Sequence, residues 1–101
     1  MKVTGHQISL QAKQAHEADP PAKFILLHLP LDAFEGAAVD VNAASWPVAV
    51  CSSPLAVRDA MRRHAHAATP VVLLFAGNEG DLGADVLARC AKRRAITHDL
   101  W

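Results

Sequence analysis

Four side chains that could carry acid–base chemistry follow two apolar runs of the sequence: His28, Asp32, Glu35 and Glu79. The apolar runs, Phe24–Leu27 and Val71–Phe75, have the pattern of strands that are buried on both faces. In a parallel sheet, the loops after such strands lie at the carboxyl edge, where ligands commonly bind. A small enzyme would need these groups in one pocket with perturbed pKa values. Carboxylates in solvated loops are the simpler interpretation.

Gly77, Gly80 and Gly83 lie where the second run would pass into a helix, which is a common position for a phosphate-binding loop. Their spacing is GxxGxxG, not GxGxxG, and no Lys-Ser or Lys-Thr pair follows. The carboxylates of Asp81 and Asp85 would repel an anion at this position. The pattern therefore predicts an ordinary turn followed by a helix start.

The remaining reactive residue types also have structural explanations. His64 and His66 are two positions apart, so on a helix they would point about 200° away from each other and would be poorly placed to hold one metal together. Ser53 lies in no GxSxG motif and has no nearby histidine and acid, which favours a helix cap over a nucleophile. Cys51 and Cys90 stand in apolar surroundings and are predicted to be buried free thiols. We predict no catalytic residue, metal site or cofactor.

A basic face is predicted on the helix that follows Ser53. A solvated helix surface is the simplest interpretation of this face, and a docking surface for an acidic partner is the functional one. The residues of this predicted docking face are Arg58, Arg62, Arg63 and His66.

Start and stop signals divide the chain into segments. Thr4 and Gln7 form a capping box for a first helix, which Asp19-Pro20-Pro21 would end. Ser53 and Pro54 form the N-cap and first position of a second helix, which would run to about residue 65. A third helix would begin at about residue 81 or 82. The apolar stripes of the three helices are Ile8, Ala12 and Ala15; Val57, Ala60, Met61 and Ala65; and Leu82, Val86 and Cys90.

Strands are predicted between these helices. Besides the two apolar runs, Pro47–Cys51 and Ala95–His98 have strand patterns, and Ala38–Val41 could pair with Pro47–Cys51 in a hairpin. Alternating strands and helices imply right-handed βαβ units. We therefore expect a small Rossmann-like α/β sandwich of two or three layers, with a short, mostly parallel sheet flanked by helices.

Length and composition limit the classes of function. The chain has 101 residues, which is enough for one domain, and its 51% of hydrophobic residues argues against disorder. Ten basic and ten acidic side chains give zero formal charge, which disfavours nucleic acid as a partner and allows self-association. The apolar runs are too short to cross a membrane, and no signal peptide is visible, so we expect a cytoplasmic protein.

The second half of the chain is similar to a known family. It resembles the N-terminal region of PglZ proteins, in particular those of type 2 BREX phage-defence systems, over roughly residues 22–101. The segments that carry the resemblance are Pro47–Cys51, Leu55–Ala60, Val71–Leu74, Asp81–Arg89, Lys92–Arg94 and Asp99–Trp101.

The resemblance implies a role in phage defence. PglZ proteins carry an alkaline-phosphatase-like, metal-dependent domain beyond their N-terminal region, and no residue here matches its Asp and His ligands or its nucleophile. Residues 1–101 would then be one excised N-terminal domain that docks onto other defence proteins or onto its own downstream catalytic domain. A stand-alone α/β regulatory or ligand-binding protein is the alternative.

Overall fold

The computed structural model describes residues 5–18, 22–29, 46–77 and 79–99, which contain three helices and four strands. A short 3₁₀ turn, Glu79–Leu82, precedes the third helix. The predicted strand at 38–41, its hairpin turn, the Thr4 cap and the helix stop at 19–21 lie outside these described residues. In chain order the elements are α1 (Gly5–Ala18), β1 (Phe24–Leu29), β2 (Val48–Cys51), α2 (Pro54–Arg63), β3 (Val71–Ala76), α3 (Gly83–Lys92) and β4 (Ala95–Asp99).

The four strands form one sheet in the order β2-β3-β1-β4. All three strand pairs are parallel, and Phe24 at the start of β1 aligns with Val71 of β3 and with Ala95 of β4. Every residue of β1 is buried, as the sequence predicted for a strand covered on both faces. The predicted α/β fold is confirmed, with a sheet that is parallel throughout in the described residues.

Helices cover both faces of the sheet and give three layers. Alternate residues of β1 point to opposite faces, so Phe24 and Leu26 pack with the stripes of α2 and α3. Ile25 and Leu27 pack instead with Ile8 of α1 on the other face. The apolar stripes predicted for the three helices are buried, except that Ala65 lies beyond the end of α2 and is only half-buried.

The sheet order places α2 and α3 side by side. The connections β2–α2–β3 and β3–α3–β4 cross the sheet in the same direction, and connections of one hand that run in one direction lie on one face. Both helices join parallel strands, so both run opposite to the strands and parallel to each other. Their side chains meet along a shared seam.

The ends of α2 are set by hydrogen bonds. The Ser53 hydroxyl accepts a hydrogen bond from the backbone N–H of Ala56 at 3.2 Å, which confirms the predicted N-cap. The helix ends at Arg63, two residues before the predicted end, because the Ala65 N–H bonds the Arg62 carbonyl in a tighter turn. The structure therefore places His64 and His66 in a turn after the helix.

The end of α3 is joined to the sheet. Arg94, directly after the helix cap, adopts a left-handed conformation with φ of 57°. Its carbonyl accepts a hydrogen bond from the Lys23 N–H at 3.1 Å, and the Lys23 carbonyl accepts one from Val71 at 3.1 Å.

Within the described residues, no helix has the length and apolar character that a membrane span requires.

Candidate docking surface between α2 and α3

A cleft of about 200 Å³ lies along the seam between α2 and α3. It is lined by four arginines and one methionine, and Met61 is only 2% exposed, so it gives the cleft an apolar floor. The lining residues are Arg58, Met61 and Arg62 from α2, and Arg89 and Arg93 from α3 and its cap.

Helix periodicity explains why the arginines converge. Arg58 and Arg62 are four positions apart and lie one above the other on α2, and Arg89 and Arg93 have the same spacing on α3. Burial of the apolar stripes against the sheet fixes the rotation of both helices. Two pairs of arginines, one pair from each helix, therefore line the cleft along its two sides.

The cleft carries an excess of positive charge. Arg62 forms an ion pair with Asp59, with 3.1 Å between Nη2 and Oδ1, and both side chains are well exposed. Such an exposed pair contributes about 0–1 kcal/mol to stability. In the described part of the chain, no carboxylate forms an ion pair with Arg58, Arg89 or Arg93. This local imbalance exists in a chain whose formal charge is zero.

Helix dipoles explain only part of this arrangement. Positive side chains in the last turn of a helix interact favourably with its negative end, and Arg62 and Arg89 occupy such positions. Arg58 is in the first half of α2 and gains nothing from this effect. Its position in the cleft depends on the packing of the two helices.

Only two of the four residues predicted for the docking face line the cleft. Arg58 and Arg62 line the cleft, whereas Arg63 and His66 do not. Arg63 lies about 100° from Arg62 around the helix axis. On that side of the helix, its positive charge acts on the Cys51 thiol. His66 is exposed in the turn after α2.

Two arginines of the cleft were missed by sequence reasoning, which treated each helix by itself. The predicted basic face is restricted to α2 and the turn after it, so it does not include Arg89 or Arg93 from α3 and its cap. The signal that was available is the repeated four-residue spacing of arginines on two helices that the predicted βαβ topology could place on one face.

The carboxyl edge of the sheet holds the predicted acid–base residue His28. It is 2% exposed, and its ring meets that of Phe75 edge-on, with 6.1 Å between the ring centroids. Asp32 and Glu35 lie outside the described residues, as does the side chain of Glu79. The acid–base cluster predicted for a small enzyme therefore stays a prediction.

The glycines after β3 have a conformational explanation. Gly77 has φ of +135° and Gly83 has φ of +81°, values that other residues rarely adopt. A Cβ atom on Gly77 would lie 2.7 Å from Oδ2 of Asp81. The predicted turn and helix start are confirmed, with the 3₁₀ turn as an intermediate step.

Both cysteines are free and buried, as predicted. Burial raises the pKa of the Cys51 thiol from 9.0 to about 11, and the nearby positive charge of Arg63 offsets part of this rise. Cys51 therefore stays protonated at neutral pH and acts as a small apolar side chain. Within the described residues, no three His, Cys, Asp or Glu side chains come together as metal ligands.

A second, wider groove of about 530 Å³ lies beside α1. Its lining is mixed, with Leu10, Lys13 and Glu17 from the helix and Trp46 from the segment before β2. Trp46 meets His16 edge-on, with 5.5 Å between the ring centroids. The groove has no concentration of one charge comparable to the cleft on the opposite face.

Together these features define the class of protein: a small three-layer α/β domain with a parallel sheet and an arginine-lined cleft on its two-helix face. Residues 2–99 match the family model of the BREX system PglZ N-terminal domain, and the chain belongs to that family. The match extends beyond the predicted range of 22–101 at the N-terminal side and includes α1. No curated protein and no solved structure matches the chain.

Proposed function

We propose that this domain is a non-catalytic protein-interaction module of a PglZ-like phage-defence protein. The observation that carries the proposal is the cleft between α2 and α3, which is lined by four arginines. Among the described residues, only one of them, Arg62, forms an ion pair with a carboxylate. Other components of the BREX system are the natural partners of such a module, together with a catalytic domain further along the same chain. We place its action in the cytoplasm, with residues 1–101 forming one domain at the front of a longer protein.

The chemistry of the cleft supports docking. Arginine presents a planar fork of donors that matches a carboxylate, and it is favoured at protein interfaces. A cleft with one sign of charge also concentrates the field and attracts partners of opposite charge. Membership of a BREX family favours this module over the alternative of a stand-alone regulatory or ligand-binding protein.

Pull-down experiments with purified components of the same BREX system test the proposal. The chain is immobilised, and each of the other system proteins, including the remainder of the PglZ protein, is passed over it separately. We expect the wild-type chain to retain at least one of these proteins. The double variant Arg58→Glu, Arg62→Glu should no longer retain it. Arg63→Glu with Lys92→Glu is the matched control, because it reverses the same number of charges outside the cleft lining.

Circular dichroism spectra of each variant are compared with that of the wild type to check that the fold is intact. Retention of no system protein by the wild-type chain would contradict the interaction module. Loss of binding in the control pair to the same degree would contradict the cleft as the docking surface, since it would indicate a general effect of charge.

A further inference from the structure

We infer that the cleft between α2 and α3 binds an acidic helical segment of a partner protein, one that presents carboxylates one helical turn apart. This inference rests on the proposed function and specifies the chemistry of the partner. It is carried by the geometry of the four arginines, which form two columns on adjacent parallel helices.

The spacing of the arginines matches that of a helix. Arg58 to Arg62, and Arg89 to Arg93, each span four residues, a rise of about 6 Å along the helix axis. A helix of the partner that lies along the seam has the same rise between its side chains at positions i and i+4. Glutamates at positions i and i+4 of that helix can each meet one guanidinium from α2 and one from α3.

The positive charge of the cleft favours an anionic occupant. Like charges around a volume of about 200 Å³ repel one another, and only Arg62 has a carboxylate partner among the described residues. Charge-assisted hydrogen bonds from arginine to carboxylate are stronger than neutral ones, and paired donors add directional specificity. The buried Met61 floor gives the methylene groups of a glutamate side chain an apolar contact.

The same features favour a protein segment over nucleic acid. The lining contains no aromatic ring on which a base could stack. The four arginines of the lining span one short seam, whereas a phosphate backbone requires an extended basic track. The whole chain has zero formal charge.

Peptide titration of the complete chain tests the inference. The probe is a fluorescently labelled, alanine-rich helical peptide with glutamates at i, i+4 and i+8. The control peptide has the same composition, with its three glutamates placed at i, i+5 and i+6, which lie about 100–140° apart around the helix so that no two share one face. Inorganic phosphate and a single-stranded oligonucleotide of equal charge are titrated in parallel.

We expect the i, i+4, i+8 peptide to bind about tenfold or more tightly than its control, and to weaken as salt is raised. Arg58→Glu and Arg89→Glu should each weaken binding about tenfold or more, since each places a carboxylate against the ligand. The matched variants Arg63→Glu and Lys92→Glu should retain binding to within about threefold, because residual long-range effects are screened by salt.

Equal binding of the two peptides would overturn the inference, and so would an unchanged affinity in Arg58→Glu and Arg89→Glu. Tighter, arginine-dependent binding of phosphate or of the oligonucleotide would also overturn it and would assign the cleft to phosphate chemistry. A system protein retained equally by wild type and by Arg89→Glu would leave the proposed function standing and remove the inference. Peptide binding without retention of any system protein would support the cleft chemistry and contradict the proposed function.

Discussion

Lys23 reaches from the start of β1 to the turn after α2, where its ammonium group donates a hydrogen bond to the backbone carbonyl of Ala65. The same residue bonds through its backbone to Arg94 and Val71. One lysine therefore connects the end of α2, the end of α3 and the start of two strands. This connection positions the two helix ends on either side of the arginine cleft.

Replacing Lys23 by Met should lower the free energy of unfolding by about 1–2 kcal/mol, because the Ala65 carbonyl loses a charged donor while the apolar stem is kept. Urea denaturation followed by circular dichroism measures this change. Lys13→Met is the matched control, since Lys13 is exposed on α1 and should change the free energy by no more than about 0.5 kcal/mol. Equal destabilisation by both variants would contradict the structural role of Lys23.

Gly77→Ala should destabilise the domain by about 2 kcal/mol or more, because φ of +135° strains any L-residue and the added Cβ would lie 2.7 Å from Asp81 Oδ2. Gly80→Ala is the control, because a Cβ there has nothing within 4 Å and Gly80 has no positive φ. Thermal unfolding of both variants provides the measurement. A Gly77→Ala variant as stable as Gly80→Ala would mean that the turn after β3 differs from this structure.

Arg94→Gly should raise the free energy of unfolding by about 1 kcal/mol, since Arg94 has φ of 57° and glycine adopts this conformation without steric cost. Arg93→Gly removes the same side-chain type at a position with φ of −92°, where glycine relieves no strain. We therefore expect Arg93→Gly to be neutral or destabilising in urea denaturation. The reverse order of stability would contradict the left-handed helix end.

The stability of the domain should fall at high pH because of Cys51. Its pKa is raised from 9.0 to about 11 in the folded state, so the folded protein holds the proton more tightly than the unfolded chain does. The contribution is fully present below pH 9 and is lost as the pH rises to about 11, with a total of about 2–3 kcal/mol at 1.36 kcal/mol per pKa unit.

Urea denaturation at several values between pH 8 and pH 11 measures this loss. The Cys51→Ala variant lacks the thiol and should lose less stability over the same interval, although it is less stable than wild type at neutral pH. Parallel pH profiles for the two proteins would contradict the raised pKa of Cys51.

Local patterns were sufficient to predict the elements that contact the core. The apolar run in β1, the Ser53 cap of α2 and the stripe ending at Cys90 are properties of neighbouring residues, and all three are confirmed. The predicted end of α2 was less accurate, because the helix ends two residues earlier, at Arg63. The turn after the helix also accepts a hydrogen bond from Lys23, which is 42 residues away from Ala65 in the sequence and which no local pattern connects to it.

Only two of the four arginines of the cleft were predicted, for a similar reason. Arg58 and Arg62 belong to one helix, so their shared face follows from helix periodicity alone. Their proximity to Arg89 and Arg93 depends on both helices covering the same face of the sheet. That arrangement requires the strand order, which the apolar pattern of each strand does not specify.

The sequence by itself determined the elements, the inward-facing stripes and the parallel α/β class, because these depend on hydrophobic periodicity and capping within a few residues. Only the tertiary structure decided the order β2-β3-β1-β4 and, through it, the neighbouring positions of α2 and α3. Strands of similar apolar character can pair in several orders, and the choice is made by long-range packing of the whole core. The cleft of four arginines is a product of that choice.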